Sequence, residues 1–231
     1  MRWILLLCIA ILSQACVNHT ELAKEALEAD LPSIGKFSSR GVTFRNIENY
    51  PGNVVCGEYT TSARPSEHSY KPFIYTLSGL NRHPAKIDLS VFCSTDAQQG
   101  LYLSSGIKYS GSTKAVVQRI RKDLNPISVA LQEYQTDNFL LPTPSQGLEA
   151  LVHPADITPE PKAFRKGGYL NKVPIDPWGA PYIYNPPVFG GVEGNYELLT
   201  LGADGVVGGQ NEDADVTWHH MKYIDHIDQL N

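Results

Sequence analysis

Between Leu201 and Trp218 the chain gathers Asp204, Glu212, Asp213 and Asp215 among four glycines, Gly202, Gly205, Gly208 and Gly209. Carboxylate oxygens and backbone carbonyls are the ligands that a hard cation such as Ca2+ takes. Glycine lets a short segment curl until several carbonyls point inward. A loop this acidic repels itself unless a cation or the solvent relieves it. Spacing alone leaves two readings open, a Ca2+ loop and a solvated acidic turn. The segment does not follow the EF-hand order, whose ligands alternate over a fixed stretch of about 12 residues. Asp204, inside Ala203-Asp204-Gly205, is expected to hold the turn through its own side chain rather than to ligate.

His219-His220, with His226 further on, is the other set of metal-binding type. Neighbouring histidines on a strand or loop point in different directions, and residues 221–231 read as a loosely held tail, so no transition-metal site is expected there. His68, His83 and His153 are isolated, in proline-bearing contexts, and read as exposed. No Gly-x-Ser-x-Gly, Walker or His-Glu-x-x-His pattern occurs. Asp156 and Glu160 lie among Pro154, Pro159 and Pro161 and read as solvated. No catalytic residue, and hence no enzyme, is expected. A formal charge of −5 and a pI near 5.8 argue against a nucleic-acid partner.

These residues need a frame. From Thr113, the residues Val116, Val117, Ile120, Leu124, Ile127, Leu131 and Tyr134 recur at three- and four-residue steps and predict a helix with one apolar stripe. Asn125-Pro126 interrupts it. Asn caps helices and Pro favours their first position, so a break or kink is expected, with a second piece from Ile127 to Thr136. Asp176-Pro177-Trp178-Gly179 reads as a turn with an aromatic anchor. The runs 181–184 and 196–201 read as strands joined by a turn at Gly190-Gly191. The result is a helix on a small antiparallel sheet, an α+β fold.

Upstream, the runs 42–47, 53–60, 72–77 and 87–93 are β-branched or aromatic and separated by turn residues. Ile87, Leu89 and Val91 alternate with Asp88 and Ser90, as in a strand with one buried face. A small, mainly-β domain over 38–95 follows. Residues 96–112 lack periodicity and read as a linker, and 21–28 as a short helix in a tether over 16–37.

The N-terminus carries Met1-Arg2, a ten-residue apolar run from Trp3 to Leu12, and Ser13-Gln14-Ala15. This predicts a secretory signal peptide over 1–15, too short to span a bilayer, which needs about 20 apolar residues. Cys16 stands where bacterial lipoproteins carry their lipid. Ordinary signal-peptidase cleavage stays open, because Ser13 occupies the place where a lipobox usually has Leu. Cys8 falls inside the signal. Cys56 and Cys93 remain in the mature fold and are expected to pair in an oxidising compartment, adding about 2–4 kcal/mol; two separate buried thiols are the alternative.

The segments 130–138, 141–143, 146–152, 168–170, 173–182, 201–205 and 208–216 together resemble the major pseudopilin, the G subunit of type II secretion systems. The likeness runs from about 113 to 220. It implies a pilin-like globular domain and a Ca2+ site in which Val206 and Gly209 give carbonyls, Asp213 and Asp215 give carboxylates, and Trp218 gives a further carbonyl. It also implies a surface for protein contact. The combination Val42-x-Phe44-Arg45-Asn46, 54–58 and 71–75 resembles a small domain of exported bacterial proteins, which implies a location and no chemistry.

Pseudopilins begin with a basic leader, a Gly cut site, a Phe-Thr-Leu-x-Glu start and a long apolar helix that anchors and stacks the subunit. The present sequence is read without them, so its domain is expected to ride on an exported or lipidated carrier rather than to build a filament. The expected protein is a non-enzymatic envelope protein in the periplasm or at the outer membrane, held by lipid on Cys16. Its expected partner is a protein of the cell envelope, tied to type II secretion or a pilus-like system. The alternatives are a scaffold unrelated to secretion, and an envelope hydrolase.

Overall fold

The computed structural model describes residues 18–31, 41–187 and 196–231. The expected signal peptide, Cys8, Cys16, part of the tether and the Gly190-Gly191 turn lie outside the described residues. The chain divides into two units, one from 1–49 and 53–82, the other from 50–52 and 83–231.

The first unit holds α1 (His19–Asp30), β1 (Thr43–Tyr50), β2 (Val54–Thr60), β3 (Lys71–Thr76) and β4 (Gly79–Asn81). Asn18 starts α1 by accepting the N–H groups of Thr20 and Glu21 on its side-chain oxygen. Ala23 and Leu27, one helical turn apart, are fully buried. The strands lie in the order β1-β2-β3-β4, with β2–β3 and β3–β4 antiparallel. Val55, Tyr59 and Phe73 join Ala23 and Leu27 in one small core, and Phe44 and Tyr59 meet Phe73 edge-on, with centroids at 6.1 and 6.3 Å. Gly57 sits in β2 because the Phe73 ring lies 2.9 Å from where a Cβ would stand. Three of the four expected β-runs are therefore strands.

The fourth run is a helix. The second unit begins with α2 (Lys86–Phe92) and α3 (Ala97–Ser105), continues with α4 (Gly111–Asn138), β5 (Ile183–Asn185), β6 (Glu197–Thr200) and β7 (Val216–Thr217), and ends with α5 (Met221–Gln229). In α2 the Asp88 carboxylate reaches back to the Ala85 N–H at 2.8 Å, which satisfies one of the unpaired donors of a helix start. Asp88 and Val91 then share the buried face, a spacing of three that a period of two conceals. Cys93, which ends α2, is joined to Cys56 in a disulfide.

Residues 96–112, expected to be a linker, form α3 and the start of α4. Asp96 caps α3 by accepting the Gln99 N–H, and Ala97 and Leu101 are buried. Gly100 allows close helix contact, since the Ser90 carbonyl oxygen lies 1.9 Å from where its Cβ would be. The expected loose tail is α5, which buries Met221, Tyr223, Ile224, His226 and Ile227. Nine residues with this spacing form an amphipathic helix once a core is there to receive them.

Helix α4 supplies that core. Val117, Ile120, Leu124, Ile127, Ala130, Leu131 and Tyr134 are buried along it and pack with Leu198, Val216, Tyr182 and Tyr196. The helix runs unbroken through Pro126, so of the expected break or kink the break does not occur. Proline removes one hydrogen bond and crowds the preceding turn, at about 3 kcal/mol in an isolated helix. Here the apolar stripe on both sides enters one core and outweighs that cost. The sheet has the order β5-β6-β7 and is antiparallel throughout. The α+β arrangement and the mainly-β unit before it agree with the sequence reading. Among the described residues no helix is long and apolar enough to cross a membrane.

Candidate functional site

The acidic segment leaves the end of β6 and returns as β7, so two paired strands hold its ends. The Ala203 N–H donates to the Glu212 carbonyl at 2.8 Å and closes the neck of the loop. Farther out, the Asp215 N–H donates to the Gly208 carbonyl at 3.2 Å, and the Gly208 N–H donates to Asp215 Oδ2 at 2.9 Å. Gly202 and Gly209 have φ of +72° and +86°, and the Asp213 carbonyl oxygen lies 2.6 and 2.3 Å from where their Cβ atoms would stand. Only glycine fits either place. Asp204 Oδ1 accepts the Val206 N–H at 2.9 Å, the turn-holding contact expected of it.

Within this loop, Asp215 Oδ1 is buried and has no hydrogen-bond donor among the described residues. A buried carboxylate oxygen without a partner costs on the order of 1–3 kcal/mol or more. Asp213 is exposed and lines an open cavity of about 580 Å³ with Lys108, Ser112, Asn211 and Glu212. The fold thus sets the Asp213 backbone against Gly209, ties Asp215 to Gly208, and holds Val206 in the same loop through Asp204. Trp218 stands just beyond β7, and its carbonyl accepts the Met221 N–H, which uses one of two lone pairs. Among the described residues no three His, Cys, Asp or Glu side chains gather as a ligand set. A cation here would rest on two carboxylates and backbone carbonyls, a mixture suited to Ca2+.

The histidines are engaged elsewhere. His220 Nδ1 accepts the Thr217 N–H at 3.1 Å; burial, then the neighbouring charges of His219 and Lys222, lower its pKa to about 4. His226 packs on Phe92 with ring centroids 4.8 Å apart, and burial lowers its pKa as well.

Sequence reasoning missed the residues that hold the loop from α3. Tyr102 donates its hydroxyl to Gln210 Oε1 at 3.1 Å, and the Asn211 N–H donates to the Gly106 carbonyl at 2.9 Å. Gly106 directly after Ser105 is the helix-ending glycine signal that was available.

A family model for type II secretion system (T2SS), protein G, matches residues 109–219. Over 103 residues the chain is 47% identical to the type II secretion system core protein G of Pseudomonas aeruginosa, spanning 45% of this chain and 70% of that protein. The chain belongs to the type II secretion system protein G family. The core protein G of Vibrio cholerae serotype O1 is 44% identical over 103 residues, 45% of this chain and 68% of its own length. A crystal structure of the major pseudopilin from the type 2 secretion system of enterohaemorrhagic Escherichia coli is similar at 37% identity, covering 46% of this chain and 87% of that one, with a TM-score of 0.38. The protein G match contains α4, β5–β7 and the whole acidic loop; α2, α3 and α5 lie outside it.

Proposed function

We propose that this chain is a non-enzymatic, exported envelope protein of a type II secretion system, and that Ca2+ stabilises its protein G domain for contact with a protein partner. Membership of the protein G family supports the link to secretion. The observation that carries the Ca2+ reading is the buried Asp215 Oδ1, without a donor among the described residues, inside a loop of left-handed glycines. Asp213 and Asp215 would hold the ion by their carboxylates, and Val206, Gly209 and Trp218 by their carbonyls. The ion neutralises the loop and cross-links its ends.

Thermal melts with Ca2+ and with chelator test this. An ion that binds only the folded chain adds about 1.4 kcal/mol when its free concentration is tenfold above its Kd. The variant carrying Asp213→Ala and Asp215→Ala should melt at one temperature in both buffers. A double variant that still gains stability from Ca2+ would show that the ligands are others. Lipid on Cys16 would hold the chain at a membrane, in the periplasm or at the outer membrane. Cys16→Ser should then move it from the membrane fraction to the soluble fraction, and an unchanged distribution would discard the lipid anchor.

A further inference from the structure

Three contacts join α3 to residues 209–211. The Asn211 N–H donates to the Gly106 carbonyl at 2.9 Å. Tyr102 holds Gln210 Oε1 at 3.1 Å. The Gly209 carbonyl oxygen lies 2.5 Å from where a Gly106 Cβ would stand, and Gln210 Cα lies at 3.3 Å from the same point. Backbone therefore lies directly on backbone, which is possible only because Gly106 has no side chain. Gly106 also has a φ of +75°, and its N–H donates to the Tyr102 carbonyl at 2.8 Å, so it ends the helix and meets the loop at once.

The helix is a firm base. Ala97 and Leu101 are buried in the same core as Ile107 and Tyr109, and Gly100 abuts the Ser90 carbonyl of α2. Ca2+ accepts oxygens only at about 2.3–2.6 Å, so a shift of a few tenths of an ångström in a ligating carbonyl changes affinity. Asp213 braces Gly209 from one side and Gly106 from the other.

We propose that α3, an element outside the protein G match, positions the acidic loop for its cation, with Gly106 and Tyr102 as the positioning residues. The proposal rests on the Ca2+ reading above. Binding and positioning are then linked, and the linkage is reciprocal. A cation in the loop protects the α3 amides, and a loosened α3 weakens the cation.

Isothermal titration of Ca2+ into the full chain tests this. The set is the native protein, Gly106→Ala, Tyr102→Phe and, as a control on the same helix, Leu103→Ala, which replaces a side chain that is 73% exposed. Gly106→Ala should raise Kd by about tenfold or more. Tyr102→Phe should raise it roughly threefold to tenfold, the worth of one hydrogen bond, and Leu103→Ala should leave it unchanged. Hydrogen exchange at Leu101 to Gly106 should slow when Ca2+ is added. If the native chain binds Ca2+ and a folded Tyr102→Phe variant binds it equally, with α3 exchange unmoved, the coupling is wrong and the Ca2+ reading stands. If the native chain binds no Ca2+ at millimolar concentration, the Ca2+ reading fails and the coupling with it. Should Gly106→Ala not fold, Tyr102→Phe and the exchange data decide alone.

Discussion

Asp176→Ala should destabilise the protein G domain by about 3–5 kcal/mol, the sum of several buried groups left without partners. Asp176 is 3% exposed. Its Oδ1 accepts the Trp178 N–H at 3.1 Å and the Ala180 N–H at 2.7 Å, and its Oδ2 accepts the Thr200 hydroxyl at 2.6 Å. Thr200 is 1% exposed, so its hydroxyl cannot turn to water instead. The carboxylate thus builds the Pro177-Trp178-Gly179 turn and ties it to the end of β6, where the acidic loop departs. Asp176→Asn keeps one oxygen acceptor and offers an amide to Thr200, and should cost only about 1–2 kcal/mol. Urea unfolding monitored by tryptophan fluorescence reads both values from the midpoint at constant slope. An alanine variant within about 1 kcal/mol of the native protein would show that the turn stands without its carboxylate.

Asp88→Ala comes second, with an expected loss of about 2–4 kcal/mol. Asp88 is 4% exposed and accepts from Lys222 Nζ at 2.6 Å, from the Tyr223 hydroxyl at 2.7 Å and from the Ala85 N–H at 2.8 Å. Alanine would leave the buried Tyr223 hydroxyl without this acceptor and α2 without its first-turn carboxylate. Lys222 is half exposed and can return to water, so Lys222→Ala should cost no more than about 1 kcal/mol. The contrast separates the buried hydrogen bonds from the ion pair.

The same carboxylate sets a pH dependence. Burial pushes the Asp88 pKa up, but the hydrogen bonds from Lys222, Tyr223 and Ala85, with the Lys222 charge, outweigh it and leave the pKa below its ordinary value. The folded state therefore binds this proton less readily than the unfolded chain. The contribution to stability is complete above the unfolded aspartate value, near 3.9, and is lost as pH falls through the lower folded value. Native protein should lose stability more steeply below about pH 4 than Asp88→Asn does. Parallel acid limbs would remove Asp88 from the account.

Much of this fold is legible in the residues because local periodicity states which side of an element must be covered. The stripe from Val117 to Tyr134 marks α4, and the β-branched runs at 42–47, 53–60 and 72–77 mark three strands. The glycines of the acidic loop announce a backbone that only glycine adopts, and all four have positive φ. Asp204 holds its turn because an aspartate side chain reaches the N–H two residues on, whatever surrounds it.

The misreadings share one cause. The run 87–93 fits a strand by alternation and a helix by its three-residue step, and seven residues cannot separate the two. Asp88 turns inward only because Lys222 and Tyr223, 134 and 135 residues later, meet it. Residues 97–105 and 221–229 are too short and too polar to announce helices, and each becomes one by finding the core that α4 provides. Pro126 reads as a break until the packing on both sides carries the helix through it unbroken. By itself the sequence determined the elements with their own long periodicity, the family of the domain and the glycine-borne backbone turns of its acidic loop. Only the tertiary structure decided which polar groups are buried and which short segments are helices. The partner of a buried donor, acceptor or apolar face is chosen by three-dimensional contact, which no local pattern encodes.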